Sequence, residues 1–351
     1  MLYIGRKIEK SESGADQVNL RNQIFLEKIY DNRIKYLYEI KGSFVNKIFG
    51  GVSNNLLSEI KDEIEKGNYE AVFISQSLLG RAASYIKCNY PKIKVISFFH
   101  NIEKHYAKEY VRTKGITAFP FYMVTKYWEK SCVRSSDYII TLNNRDAKLL
   151  YSYYGVSSDL ILPTSFKDRF NAADANLKRN NLNDAPIDYL FVGVSFFANV
   201  QGCQWFIDNV MPYVSGHFWI VGKGMDCVKF SNVTNRIHIL GFVESLDDYY
   251  YKARVVVSPI FVGGGMKTKT AEALMFGKRI IGTKEAFEGY EKCNGMYECN
   301  TADDFISAIN SISLEESISI FNEIRQLFKN MYSYDASEKR FEEWFYNTVN
   351  F

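Results

Sequence analysis

Short apolar runs alternate with amphipathic helical patterns from end to end, and that alternation predicts parallel sheets flanked by helices in both halves of the chain. In the first half LYIGRKI opens as a strand, Asp16–Tyr30 follows with helical spacing, and IKYLYEI is a second strand. Leu56–Lys66 keeps its charges off the apolar stripe of a helix, YEAVFISQS reads as a strand and Leu78–Cys88 as a helix, and KVISFFHN is an apolar strand ending in a polar tip. SDYIITLN, the helix Arg145–Tyr154 and the strand DLILPT close the half. Residues 168–185, rich in Asn, Asp and Ala, have linker composition. The second half restarts with the strand IDYLFVGV, the helix Val200–Tyr213, the strands HFWIVGKG and RIHILGFV, a short helix Leu246–Lys252 and the strand RVVVSPI. A triple-glycine turn, a helix Lys269–Phe276 stopped by Gly277, the strand RIIGT and an aromatic-rich helix Asp335–Phe351 complete it. The domains expected are 1–167 and 186–334, with 335–351 packing back on the first.

Composition narrows the class without changing this layout. A chain of 351 residues suits two domains, and 47% hydrophobic residues with 6 prolines exclude a disordered or collagen-like protein. No apolar run approaches the ~18–20 residues that span a bilayer. The start, MLYIGRKIEK, carries charge where a signal peptide needs its apolar core, so the cytoplasm is the expected location. Six cysteines without a C-x-x-C pair are expected to be reduced and mostly buried, and four scattered histidines give no structural zinc spacing. Charge is uneven: residues 1–170 hold 26 Lys and Arg against 18 Asp and Glu, an excess of +8, while the remainder holds 17 against 22, or −5. The first half should therefore meet something anionic, a lipid phosphate or a membrane surface. No nucleic-acid motif accompanies it.

The segment richest in chemistry is SPIFVGGGMKTKTAEALMFGKRIIGT, residues 258–283. A buried strand runs into Gly263, Gly264 and Gly265, whose backbone can approach a ligand closely, and a helix whose free N–H groups form an anion site opens just after them. Lys267 and Lys269 add positive charge, and Glu272 on the opening turns can accept hydrogen bonds from two adjacent ribose hydroxyls. The unit suits a nucleoside diphosphate. A glycine-rich turn with solvated lysines is the alternative that the GGG run leaves open.

FVGVSFFANVQGCQWFIDNVMP, FWIVGKGM and RIHILGFVESLDDYYYKARVVVSPIFVGGGMKTKTAEALMFGKRIIGT, in that order, resemble the carboxyl-terminal domain of glycosyltransferase family 4. FFHNIEKHY and SDYIITLNNRDAKLLYSYYGV resemble its amino-terminal domain more weakly. The resemblance implies a GT-B fold, two Rossmann-like doubly wound parallel-sheet domains facing a cleft. It also implies a retaining, metal-independent transferase that takes a nucleotide diphosphate sugar as co-substrate and needs no cofactor. Glu272 matches the second glutamate of the family's E-x7-E motif, which binds the donor ribose. The first would fall at Gly264 and is absent, so the donor sugar must be recognised differently. The resemblance assigns Gly263, Gly264, Gly265, Lys267 and Lys269 to the donor diphosphate and Met266 and Thr268 to donor binding, with Lys267 and Glu272 in catalytic roles. The loop from Gly193 to Asn199, where relatives place cations, has none, although Gly193 keeps its place at the donor.

Other positions carry alternatives. His100 ends an apolar strand where a family histidine faces the donor sugar, a third catalytic candidate; a hydrogen-bonded surface histidine is the other reading. Glu103 and His105 read as ordinary helix residues, His217 and His238 as structural, and Asp247 and Asp248 as helix caps or solvated charges. Phe242 and Val243 match the position that holds the base, or end a core strand. Gly14 and Ala15 match the small-residue loop on the acceptor side, or form a flexible turn. Residues 115–134 interleave Phe119, Phe121, Tyr122, Met123, Tyr127 and Trp128 with Lys126, Lys130 and Arg134, which suits a helix on an anionic membrane or a helix packed on a neighbour. The expected protein moves a sugar to a glycan or polyprenyl-phosphate-linked acceptor in surface polysaccharide synthesis, peripheral to the inner face of the cell membrane. A nucleotide-sugar epimerase of the same fold and an inactive nucleotide-binding scaffold are the competing expectations.

Overall fold

A computed structural model describes residues 1–8, 14–31, 33–39, 48–174, 186–263, 265–312 and 318–349. The chain divides into two compact units, Met1–Thr164 with Ser337–Phe351 (unit 1) and Ser165–Ala336 (unit 2).

Unit 1 runs β1 (Leu2–Gly5), α1 (Gly14–Ile29), β2 (Lys35–Tyr38), α2 (Asn54–Lys66), β3 (Ala71–Ile74), α3 (Gly80–Asn89), β4 (Lys94–Phe99), α4 (Glu103–Lys114), α5 (Phe119–Ser135), β5 (Tyr138–Thr141), α6 (Asn144–Tyr154) and β6 (Leu160–Ile161). All six strands are parallel, in the order β2-β1-β3-β4-β5-β6. Strands such as AVFI are buried along their whole length, as parallel strands covered on both faces must be. Leu56, Ile60 and Ile64 of α2 and Ala82, Ala83 and Ile86 of α3 cover one face. Ser53 and Asn143 cap α2 and α6 by accepting from the N–H groups of Leu56 (3.1 Å) and Asp146 (2.9 Å).

Unit 2 runs β7 (Tyr189–Val192), α7 (Phe197–Asn209), β8 (Phe218–Val221), β9 (Ile237–Leu240), α8 (Leu246–Lys252), β10 (Val255–Ser258), α9 (Thr268–Met275), β11 (Arg279–Gly282), β12 (Met296–Glu298), α10 (Ala302–Ser311) and α11 (Ile318–Leu327). Its parallel order, β12-β11-β10-β7-β8-β9, is the doubly wound nucleotide-binding order, which reverses direction between β7 and β10. The last helix, α12 (Tyr334–Thr348), belongs to unit 1 from Ser337 onward. Phe341 and Phe345 lie against Phe25 and Tyr30, and Trp344 meets Tyr138 edge-on at 5.9 Å.

Several elements differ from the sequence reading. The helix at 197–209 starts earlier than Val200, and the three-residue β12 and the two amphipathic helices α10 and α11 are not among the elements expected. Gly14 and Ala15 stand in the first turn of α1 rather than in a loop, where Asp16 complements the helix N-terminus. Residues 9–13 before them, and 175–185 of the expected linker, lie outside the described residues. The linker's opening is held fast to unit 2: Phe166 pairs with Ser333, and Arg325 donates to Asp168 at 2.7 and 3.1 Å. The unit boundary consequently falls at 164/165. Of the six free cysteines Cys132, Cys203 and Cys299 are buried, Cys293 is half-buried, and Cys88 and Cys227 are exposed.

Candidate functional site

In an open parallel sheet a ligand crevice forms beyond the carboxyl ends of the strands where the order reverses, here between β7 and β10. The two loops at that point are built to meet. α7 sits so close to the β10 exit that a Cβ at Gly202 would stand 2.0 Å from the carbonyl oxygen of Pro259, which only glycine permits. Asn199, on the first turn of α7, donates from Nδ2 to the Val194 carbonyl at 2.8 Å and accepts at Oδ1 from Lys269 Nζ at 2.7 Å. Lys269 is buried, its ammonium 4.5 Å over the Phe191 ring, and burial lowers its pKa to about 8. It therefore ties the start of α9 to the start of α7, whereas the sequence reading had it on a diphosphate.

The turn between β10 and α9 exposes Phe261, Val262 and Gly263, passes Gly264, which lies outside the described residues, and bends at Gly265 with φ +67°. Lys267 is the α9 N-cap residue, and its side chain does not cap the helix N-terminus. Its ammonium donates to the Gly265 carbonyl (2.8 Å) and to Glu285 Oε1 (2.7 Å). Met266 is buried and Thr268 half-buried. Glu272 stands one turn further on with 15% of its side chain exposed. Tyr250 donates to its Oε2 at 3.1 Å and Arg169 to its Oε1 at 3.3 Å. Burial pushes the Glu272 pKa up, against the opposing pull of Arg169 and then Tyr250.

Around these groups the loops are apolar. Val194, Phe196 and Phe197 follow β7, and Phe242, 79% exposed, follows β9 beside half-buried Val243 and Gly241. Gly193 is half-buried at the end of β7. His217 and His238, with ring nitrogens 3.0 Å apart, stack beside Trp219 on the β8–β9 side. Among the described residues no three His, Cys, Asp or Glu side chains gather so as to hold a metal ion.

In unit 1 the strand order reverses between β1 and β3, and His100 reaches that point from the end of β4. Its Nε2 lies 3.1 Å from the Ser75 carbonyl and 3.0 Å from Asn19 Oδ1. A carbonyl only accepts, so the network assigns the proton to Nε2 and leaves Nδ1 as an acceptor. Burial and then buried Arg21 lower the His100 pKa to about 4, so the ring is neutral at physiological pH. Beside it, Ile102 offers α4 no side-chain cap, and buried Glu129 of α5 serves instead, accepting from the N–H groups of Glu103 (2.5 Å) and Lys104 (3.1 Å) and from Tyr154 Oη (2.7 Å). Burial, with Glu129 second, raises the Glu103 pKa to about 7. His105 Nδ1 lies 3.2 Å from Tyr153 Oη.

Residues 186–314 match the family Glycosyl transferases group 1. The matched stretch lies wholly within unit 2. The whole fold is GT-B: it is similar to Anabaena Alr3699/HepE in complex with UDP (14% identity, 99% of each chain covered, TM-score 0.72). It is similar, too, to the lipopolysaccharide outer core galactosyltransferase WaaB (14%, 99% of each chain, TM-score 0.67) and to a glycosyltransferase from Rickettsia africae (14%, 100% and 99%, TM-score 0.66). No curated protein matches the sequence. The β7–β10 reversal, the glycine turn, Glu272 and Asn199 all lie within the matched residues. Arg169 lies before them, and Asn19 and Glu129 lie in unit 1; these three, with Asn199, Tyr250 and Glu285, are site residues not expected from the sequence. Only Asn199 carried a signal, a polar residue in the first turn after a βα loop.

Proposed function

We propose that the chain is a retaining glycosyltransferase that takes its sugar from a nucleoside diphosphate donor bound in unit 2 and passes it to a lipid-linked glycan. The observation that carries this reading is the conjunction, at the β7–β10 reversal, of a glycine turn, a helix start with no side-chain cap, and a half-buried carboxylate one turn along. The helix N–H groups and Lys267, turning from Glu285, take the diphosphate. Glu272 accepts the ribose hydroxyls, and the base lies by Phe242 and Val243. The charge that grows on the leaving diphosphate is met by Lys267 and the helix N-terminus rather than by a metal, and no cofactor takes part. HepE is described in complex with UDP and with UDP-glucose, which makes uridine donors the first to try.

On the acceptor side, α5 offers Phe119, Phe121, Met123 and Tyr127 to solvent beside Lys130 and Arg134, preceded by Ile116 at 85% exposure. Exposed aromatics with neighbouring cations suit an anionic membrane surface, where a polyprenyl-phosphate acceptor would be found. Titration calorimetry with UDP tests the donor reading: Glu272→Ala should weaken binding by about 1.5–3 kcal/mol, the range for hydrogen bonds to a charged group. Unchanged affinity removes Glu272 from the ribose.

A further inference from the structure

We infer that Arg169, outside the matched domain, is a positioning residue of the nucleotide site, holding the Glu272 carboxylate in the orientation that accepts two vicinal ribose hydroxyls. This rests on the ribose reading of Glu272 given above.

The segment that carries Arg169 is fixed on both sides. Asp168 is paired with Arg325, whose guanidinium lies 4.5 Å over the Phe170 ring. Phe170 sits among Tyr251, Phe276 and Phe321 at 5.6–6.4 Å, and the Asn171 N–H donates to Tyr251 Oη at 2.8 Å. The backbone N–H of Arg169 itself meets Met275 Sδ at 3.4 Å. The side chain has little freedom in where it ends. Its Nε donates to Asp247 Oδ1 at 3.0 Å, and this second carboxylate sets the plane of the guanidinium so that the far nitrogen reaches Glu272 Oε1.

The carboxylate is thus held at both oxygens, by Arg169 at Oε1 and by Tyr250 at Oε2. Tyr250 is itself fully buried and stacked on Phe276 with ring centroids 5.1 Å apart and planes 3° from parallel. An ionised carboxylate has about four lone-pair sites. Two are used, one per oxygen, and one on each oxygen remains to accept from a vicinal diol. Asp247 is in this account neither a cap nor a solvated charge but the anchor of the arginine.

The arrangement also sets the protonation of the site. The charged and titratable groups that act on or feel Glu272 are Arg169, Tyr250, Asp247, Lys269 and Tyr290. Arg169 opposes the upward push of burial on Glu272, and Asp247 adds to that push. Without the arginine the carboxylate loses its opposing cation and keeps the repulsion of Asp247, so it takes up a proton at a higher pH than in the wild type. A protonated Glu272 accepts fewer hydrogen bonds, so nucleotide binding then weakens as pH falls.

The test compares UDP with 2′-deoxy-UDP, and ADP with 2′-deoxy-ADP, by calorimetry from pH 5.5 to 8.5 on the full chain. Wild type should prefer the ribonucleotide roughly tenfold, the size of one hydrogen bond to a charged group, across the range. Arg169→Met should lose most of that preference, most completely at the acid end, and Arg169→Lys should restore part of it. Asp247→Asn should shift the preference in the same direction through the arginine. Thermal unfolding of each variant shows that it is folded, and a purely structural arginine would lower stability without touching the ratio of the two nucleotides. A full preference retained by Arg169→Met at every pH overturns the inference while leaving the ribose reading in place. If Glu272→Gln keeps the preference, or wild type binds none of the four, the ribose reading fails and the inference with it.

Discussion

Lys269 offers a sharp test of the site's electrostatics. Its folded pKa of about 8 lies below the ordinary lysine value of 10.5, with burial the leading cause. A depressed lysine binds its proton less tightly folded than unfolded, so the buried charge costs stability below the folded pKa. That cost is relieved as pH rises from about 8 towards 10.5, because over this window the unfolded chain holds the extra proton. At 1.36 kcal/mol per pKa unit the full span amounts to about 3 kcal/mol, of which about 2 should be recovered by pH 10. Lys269→Met keeps much of the side-chain volume and cannot titrate. Denaturant unfolding of both proteins at half-unit steps from pH 7 to 10 gives the difference in stability at each pH, and the tyrosines and cysteines that titrate in both largely cancel from it. The difference should move in favour of wild type by about 2 kcal/mol over the range. Parallel curves would mean that Lys269 is solvated, and the tie to Asn199 that shapes the β7–β10 crevice would fall with it.

Glu129→Ala should destabilise unit 1 by about 2–4 kcal/mol in chemical unfolding, because two helix N–H groups and the Tyr154 hydroxyl lose a buried charged acceptor; a loss below about 0.5 kcal/mol would refute its role as the cap of α4. Transfer from a uridine donor should survive excess EDTA, because the carboxylates nearest the glycine turn, Glu272 and Glu285, are each engaged by a cation; turnover abolished by EDTA and restored by Mg²⁺ or Mn²⁺ would show that a metal carries the diphosphate. Neutralising Lys126, Lys130 and Arg134 together should cut co-sedimentation with anionic vesicles, at about 1 kcal/mol per cation before screening, and leave UDP affinity unchanged. Wild type that ignores such vesicles at low salt would turn α5 into a contact for another protein.

What the sequence determined by itself is what local chemistry encodes. Two alternations of apolar strand and amphipathic helix dictate two parallel sheets, since a strand apolar along its whole length must be covered on both faces. The glycine turn and Glu272 were legible for the same reason: strand, turn and helix are contiguous, and ten residues of sequence hold the whole unit. His100 was legible as the polar tip of an apolar strand. The tertiary structure alone decided which loops share a crevice. Hydrogen-bonded order sets β10 beside β7, and so brings Lys269 to Asn199 across seventy residues of chain. A lysine reads alike whether solvated or buried, and the sequence could not show that one of the two meant for a phosphate is spent on an asparagine. Nor could it show Glu129 capping α4 from the next helix, or Arg169, in a segment with the composition of a linker, reaching Glu272 more than a hundred residues away. Ion pairs and buried hydrogen bonds have no period, and burial, which gives them their strength, exists only once the chain has folded.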